Sequence, residues 1–330
     1  VKTSVNPDSE DRSMTDAHES IAGTSRAYSR QRLGFMTGLL LSLRPHQWVK
    51  NTLVLAGLFF SRSLLDRHAV LLTLAACAIF CAASSGVYLF NDLRDLPEDR
   101  NHPAKRLRPI AAGSVSPAVA AVFSFLLIVT SGVAAVALQP AFGGVVLAFI
   151  TLNLAYSMGL RRIVIVDILV VASGFVLRAV AGAVVIGVHA SPWLILCTLQ
   201  LALLVAVGKR RQELVLLERR AAGHRISLEE YSVQFLDLMM GVSGAAAMVT
   251  YALYTMADDT VAHFGSRNLV LTVPFVLYGL FRYCYLVQQR REGGDPARLF
   301  VSDRPLLINV LLWILAVAFF VYWTPSWLSL

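Results

Sequence analysis

An all-α, polytopic membrane bundle of about nine transmembrane helices is the fold class this sequence predicts, and three observations predict it. Apolar residues make up 56% of the 330 and charged residues only 15%, against about 25% charged in soluble domains. The apolar residues fall in runs of roughly 20, the length a helix needs to cross a bilayer. Lysine and arginine gather on alternate connections: with a cytoplasmic N-terminus, the inner segments hold 23 of the 29 basic residues, as the positive-inside rule requires. Topology therefore accounts for the net charge of +8. Nucleic acid is not needed as a partner, and a basic inner face suits anionic membrane lipids.

The elements follow in order. Residues 1–33 carry five acids and five bases with no apolar run, which predicts a disordered cytoplasmic tail rather than a signal peptide. Residues 34–43, GFMTGLLLSL, are too short to cross and end at Arg44-Pro45, so an interfacial helix is expected. Spans are expected at 48–65, 69–91, 115–138, 142–158, 163–188, 192–208, 239–257, 269–287 and 305–323. The sixth extends inward through GKRRQEL, where Lys209 and Glu213 stand at i, i+4. Nothing resembles a linker, so 34–330 reads as a single transmembrane domain of a multi-pass protein of the inner (cytoplasmic) membrane. The cysteines, Cys77, Cys81, Cys197 and Cys284, all lie inside apolar runs and read as small core residues with no disulfide framework.

Polar chemistry gathers on the inner side. The stretch NDLRDLPEDRNHPAKRLRPIAAG, residues 91–113, places four acids and five bases between Asp92 and Arg108. On a continuing helix, Tyr88, Asn91 or Asp92, Asp95 and Asp99 recur at spacings of three and four and share one face. Such clustered carboxylates repel unless a cation sits among them, and oxygen-only ligands suit Mg²⁺ with substrate phosphates. Pro97 cannot donate to the carbonyl of Leu93, which makes Asp92 and Asp95 firmer ligands than Asp99. The bases that follow, Arg100, Lys105, Arg106 and Arg108, suit phosphate. The alternative reading of the same loop is mutual neutralisation in solvent.

Lys50, in RPHQWVKN, sits near the inner mouth of the first span, as a phosphate ligand or as a lysine snorkelling beside Trp48. Arg178 lies some fifteen residues into the fifth span, where a cation needs a cavity or a partner. Asp167 is near that span's inner end, about 16 Å from Arg178 along the axis and too far to pair directly. The third inner loop carries Lys209, Arg210, Arg211, Glu213, Glu218, Arg219 and Arg220, then Glu229, Glu230 and Tyr231.

Nine spans with NDxxDxxxD at the inner end of the second strongly resemble the UbiA superfamily of intramembrane prenyltransferases, from Arg44 to about Trp323. RPHQWVKN at 44–51, the 91–113 stretch, AYSMGLRRIVIVDILVVASGFVLRAVAGA at 155–183 and GKRRQEL at 208–214 resemble, more narrowly, its branch that transfers phosphoribose to decaprenyl phosphate. The resemblance implies a Mg²⁺-dependent pentosyltransferase moving 5-phosphoribose from phosphoribosyl pyrophosphate to a polyprenyl phosphate, in the context of cell-wall arabinogalactan biosynthesis. It implies a metal on Asn91, Asp92, Asp95 and Asp99, phosphates on Lys50, Arg100, Lys105, Arg106, Arg161, Lys209 and Arg210, and a ribose hydroxyl on Glu213, Asp167 or Tyr156. Aromatic prenyltransferases of the superfamily carry a second acidic motif after the sixth span, where this chain has Lys209, Arg210, Arg211 and Glu213. An aromatic or haem prenyltransferase and a transporter of polyprenyl-linked lipids are the competing readings. Oligomeric state stays open, a homo-oligomer among the options.

Overall fold

A computed structural model describes residues 34–102, 105–218, 230–290, 299 and 302–323. The expected tail at 1–33, and Arg219, Arg220 and Glu229 of the third inner loop, lie outside the described residues. Every regular element among the described residues is helical. Helix α1 spans Phe35–Ser42, where the short interfacial helix was expected. It ends because Arg44 turns into the left-handed region at φ 54° and ψ 57°, a conformation uncommon for a non-glycine residue.

The expected first span takes a different form. Pro45–Val54 winds as a 3-10 segment and only Leu55–Phe60 is α-helical, forming α2. Ten residues at about 2.0 Å and six at about 1.5 Å give a length of about 29 Å, close to the roughly 30 Å of a hydrocarbon core. The tight winding is tied to packing. A Cβ on Gly182 would lie 1.8 Å from the Val54 carbonyl oxygen, and one on Gly57 would lie 2.5 Å from the Ala183 backbone nitrogen. Two backbones approach through paired glycines, as is common where membrane helices pack without a hydrophobic drive between them.

Among the described residues, eight helical stretches are long and apolar enough to cross a membrane, one fewer than expected, and the 45–60 segment is not one of them. Helix α3 spans Arg67–Arg94 and starts where the Asp66 carboxylate accepts from the His68 amide. The short α4, Leu96–Asn101, follows at once. Then come α5, Pro117–Leu138, α6, Pro140–Met158, α7, Val166–Val185, and α8, Pro192–Glu218. The last runs on past its apolar stretch through Glu213 as one helix. Helix α9 spans Val233–Met256, α10 Asp258–Phe264, α11 Val273–Gln288 after a 3-10 turn, and α12 Arg304–Tyr322.

In packing order α3 lies against α5, α5 against α6, α6 against α7, α7 against α8, and α8 against α9, while the 45–60 segment wedges between α3 and α7. Four apolar clusters form among the described residues, two of them large. One joins Phe80, Phe142 and Phe149 of α3 and α6, with ring centroids 5.2 and 6.0 Å apart. The other joins Leu204, Leu236, Met240 and Leu286 of α8, α9 and α11. Ser124 of α5 donates to the Gly86 carbonyl of α3 at 2.7 Å, an interhelical bond that apolar surroundings favour. Both cores leave the charged ends of α3, α6, α7 and α8 facing one another.

Candidate active site

Helix α3 carries Asn91 and Asp92 on its last turn, and Asp95 joins it to α4. The break answers the problem set by Pro97. The proline occupies the first turn of a new helix, where its missing N–H goes unused. Asp99 is thereby kept in the site, 2% exposed, beside Asp92 at 3% and Asp95 at 5%.

Guanidinium groups meet all three carboxylates. Arg44 donates to Asp92, and Arg108 donates to Asp92 at 3.1 Å and to Asp99 at 2.6 Å. Arg161 donates to Asp95. Asn91 gives its amide N–H to Asp95 at 3.4 Å and accepts from Ser157 at 3.1 Å. The expected single row is therefore divided: Asp92 and Asp99 share Arg108, while Asp95 turns toward Arg161. Among the described residues no three acidic or imidazole side chains converge as a preformed metal cluster. The donor chemistry nevertheless fits a hard cation. All donors are oxygens, and the buried Asp99 Oδ1 has no hydrogen-bond partner.

A second cluster forms where α7 begins. Asp167, fully buried, accepts from the Tyr231 hydroxyl at 2.9 Å and lies 2.7 Å from Arg210 Nε in an ion pair outside hydrogen-bond geometry. Arg210 also donates to Glu213 at 2.6 Å and to the Tyr156 hydroxyl at 2.9 Å. Tyr231 in turn accepts from the Ile165 amide at 2.6 Å. That bond holds Ile165 at φ 69°, a strained value for a β-branched side chain. Burial pushes the Tyr231 phenol up to about 12, so at neutral pH it stays a donor to Asp167.

The two clusters belong to one site because the short stretch from Tyr156 to Asp167 touches both. Tyr156 and Asp167 meet Arg210, while Ser157 and Arg161 meet Asn91 and Asp95. The remaining expected ligands are spread around it. Lys50 is half-buried on the 3-10 segment, and Lys105 is half-buried on a turn at Lys105–Leu107. Lys209 is exposed, 3.9 Å from Glu213. Arg100 and Arg106 are exposed and make none of the carboxylate contacts; Arg44, Arg108 and Arg161 make them instead.

Arg211 faces away from this site, paired through two nitrogens with Asp237 of α9. The basic triplet Lys209-Arg210-Arg211 therefore splits, since consecutive residues on a helix point about 100° apart. Arg44 had no functional signal of its own in the sequence beyond its place in RPHQWVKN, and its partner is 48 residues away. Ser157 is an ordinary serine in an apolar run; only the fold shows it beside Asn91.

A cavity of about 690 Å³ lies elsewhere, at the opposite end of the bundle, lined by Gly57, Trp193, Cys197, Tyr254, Phe264 and Trp313 among others. Its walls are mainly apolar and none of the clustered charges faces it, so the chemistry is assigned to the charged end.

Residues 52–303 match the UbiA prenyltransferase family. The chain is 36% identical to the decaprenyl-phosphate phosphoribosyltransferase of Corynebacterium glutamicum over 301 residues, covering 87% of this chain and 88% of that one. It is 36% identical to the decaprenyl-phosphate phosphoribosyltransferase of Mycobacterium tuberculosis over 286 residues, covering 86% and 93%. Among solved structures, a UbiA homologue from Archaeoglobus fulgidus bound to GPP and Mg²⁺ superposes with a TM-score of 0.65 at 17% identity, over 86% of this chain and 99% of that one.

Proposed function

The chain belongs to the UbiA prenyltransferase family, and from that premise we propose that it transfers 5-phosphoribose from phosphoribosyl pyrophosphate to a polyprenyl phosphate, with Mg²⁺, at the cytoplasmic face of the membrane. The observation that carries this reading is the meeting of buried carboxylates with arginines at one end of the bundle: Asp92, Asp95 and Asp99 with Arg44, Arg108 and Arg161, and Arg210 beside them with Asp167 and Glu213. The carboxylate oxygens suit a metal-bound pyrophosphate, and the guanidinium forks suit phosphates held directly by side chains. The names of the similar transferases specify a phosphoribosyl group and decaprenyl phosphate, in keeping with a polyprenyl phosphate acceptor.

Asp92, Asp95 and Asp99, with Asn91, would hold the Mg²⁺, which supplies charge neutralisation for the departing pyrophosphate. The bond from ribose C1 to the pyrophosphate oxygen breaks as C1 becomes oxocarbenium-like, and an oxygen of the polyprenyl phosphate forms the new bond to C1. The acceptor is already an anion, so no strong general base is required. Arg44, Arg108 and Arg161 would exchange carboxylate contacts for phosphate contacts, with Lys50, Lys105 and Lys209 placed around them. Glu213, Asp167 and Tyr156 surround Arg210 and would take the ribose hydroxyls, two as acceptors and Tyr156 as donor or acceptor.

The test is purified protein with labelled phosphoribosyl pyrophosphate, polyprenyl phosphate and Mg²⁺. Label should pass into the lipid phase, and Lys209→Glu should abolish the transfer by placing a repelling charge at an anion site. Prenylation of an aromatic acceptor without phosphoribosyl transfer would overturn the assignment.

A further inference from the structure

Arg178 is a charge buried in mid-span, 5% exposed, and among the described residues it makes no ion pair. Such a residue is expensive and marks a function by default. Its Nε donates to Asn51 Oδ1 at 2.7 Å, and its terminal nitrogens donate to the Gly174 carbonyl at 2.7 Å and to Ser84 at 3.4 Å. The guanidinium lies 4.5 Å from the Phe149 ring centroid. Of these polar partners, Asn51 and Ser84 belong to the contact between the 3-10 segment and α3.

That contact is a polar row along α3 from Cys77 to Asp92. Cys77 meets the Asn51 carbonyl, Cys81 accepts from the Asn51 amide at 3.3 Å, and Ser84 reaches Asn51 Oδ1 at 3.4 Å. Ser85 accepts from the Trp48 indole at 3.0 Å and donates to the Leu43 carbonyl at 2.9 Å. Tyr88 lies under the Arg44 guanidinium at 5.2 Å, and Asp92 accepts from Arg44. As α3 ascends from 81 to 92, its side-chain partners descend from Asn51 through Trp48 to Arg44. Spacings of three and four place these α3 residues on one face. The deep end of the row is Asn51 and the site end is Arg44.

We propose that Arg178 is a positioning residue: by gripping Asn51 it fixes the register of the 3-10 segment against α3, and so presents Arg44 to Asp92 and the substrate phosphates. Three features support it. The segment is wound in 3-10 form, whose poorer hydrogen-bond geometry makes a run of this length uncommon; an external clamp compensates. Arg44 sits in a left-handed conformation, which persists where surrounding contacts over-determine it. Asn51 is fully buried and is bonded from α3 and α7 at once. The catalytic part of this inference rests on the phosphoribosyl-transfer reading; the clamp itself does not.

The experiment is Arg178→Lys in the full chain, read by hydrogen exchange and by kinetics. Exchange should rise at the amides of 44–54 and stay unchanged in α8 and α9. Turnover should fall by up to about a hundredfold, the penalty for slight misplacement of a group at the reacting centre. Arg44→Ala on top of Arg178→Lys should add little, because both act on the same contact. If Arg178→Lys does not fold, Ser84→Ala, a milder loss, carries the same exchange measurement. Unchanged exchange at 44–54 in a folded variant, or additive losses with Arg44→Ala, would overturn the proposal. Wild-type protein that lacks phosphoribosyl transfer, while Arg178→Lys still raises exchange at 44–54, would sink the functional reading alone.

Discussion

Asp167→Asn tests the second cluster most sharply, because the substitution keeps shape and removes one charge. Asp167 is fully buried and serves two partners: it accepts from Tyr231 and lies against Arg210. An asparagine has one acceptor oxygen where the carboxylate has two. If that oxygen faces Arg210, its NH₂ faces a Tyr231 hydroxyl that already accepts from Ile165, and the phenolic proton loses its acceptor. If the oxygen faces Tyr231, two donors meet at Arg210. Either way one buried, charge-assisted contact is lost. A hydrogen bond to a charged group contributes about 1.5–3 kcal/mol. The 3–5 kcal/mol typical of breaking a buried pair is too high here, because Arg210 keeps Glu213 and Tyr156. The expected loss is therefore about 2–3 kcal/mol. Glu213→Gln should lose less, about 1 kcal/mol, since that side chain is 28% exposed and its ion pair is partly screened by solvent. Denaturant unfolding in detergent, followed through tryptophan fluorescence, measures both, and the Michaelis constant for phosphoribosyl pyrophosphate should rise in each. An Asp167→Asn protein as stable as wild type, or less perturbed than Glu213→Gln, would refute the burial argument.

Three further outcomes are expected. Asp95→Ala should lower turnover by roughly a hundredfold or more because a metal ligand is lost, and excess chelator should silence the wild type; full activity in chelator would remove the metal from the mechanism. Gly182→Ala should prevent folding or loosen the 45–60 segment, since its Cβ meets backbone at 1.8 Å, whereas Gly144→Ala, with nothing within 4 Å, should be tolerated; expression and thermal stability in detergent decide between them. The hydrogen bonds from Arg282 hold the Asp303 carboxyl below its ordinary value, so its contribution is present above the ordinary carboxylate range and is lost as pH falls through the depressed value. Asp303→Asn should flatten the acid side of the stability profile, and an unchanged profile would show the pair to be inert.

Much of the fold is legible in residue order because a membrane helix satisfies its own backbone and need only be apolar for long enough. The runs at 115–138 and 305–323 match α5 and α12 within two residues, and the i, i+4 pairing of Lys209 and Glu213 follows from helix geometry alone. The acidic stretch was also legible as a cluster, since its members lie close in sequence, but its division between Arg108 and Arg161 was not. Nor was the form of the first expected span. Its winding depends on Gly182 and Arg178, more than 120 residues away, allowing a backbone approach and clamping Asn51.

Local periodicity thus determined most of the segments long enough to cross and where charge collects. Tertiary structure decided which cations meet the carboxylates. Arg44 and Arg161 reach Asp92 and Asp95, while Arg100 and Arg106, nearer in sequence, stay exposed. It also divided Arg210 from Arg211, sending one into the site and the other to Asp237. The physical reason is that an ion pair depends on two side chains meeting at a few ångströms in a shielded place. Composition and spacing state how many charges there are; only the packing of α3, α6, α7 and α8 with the 3-10 segment sets which of them share that place.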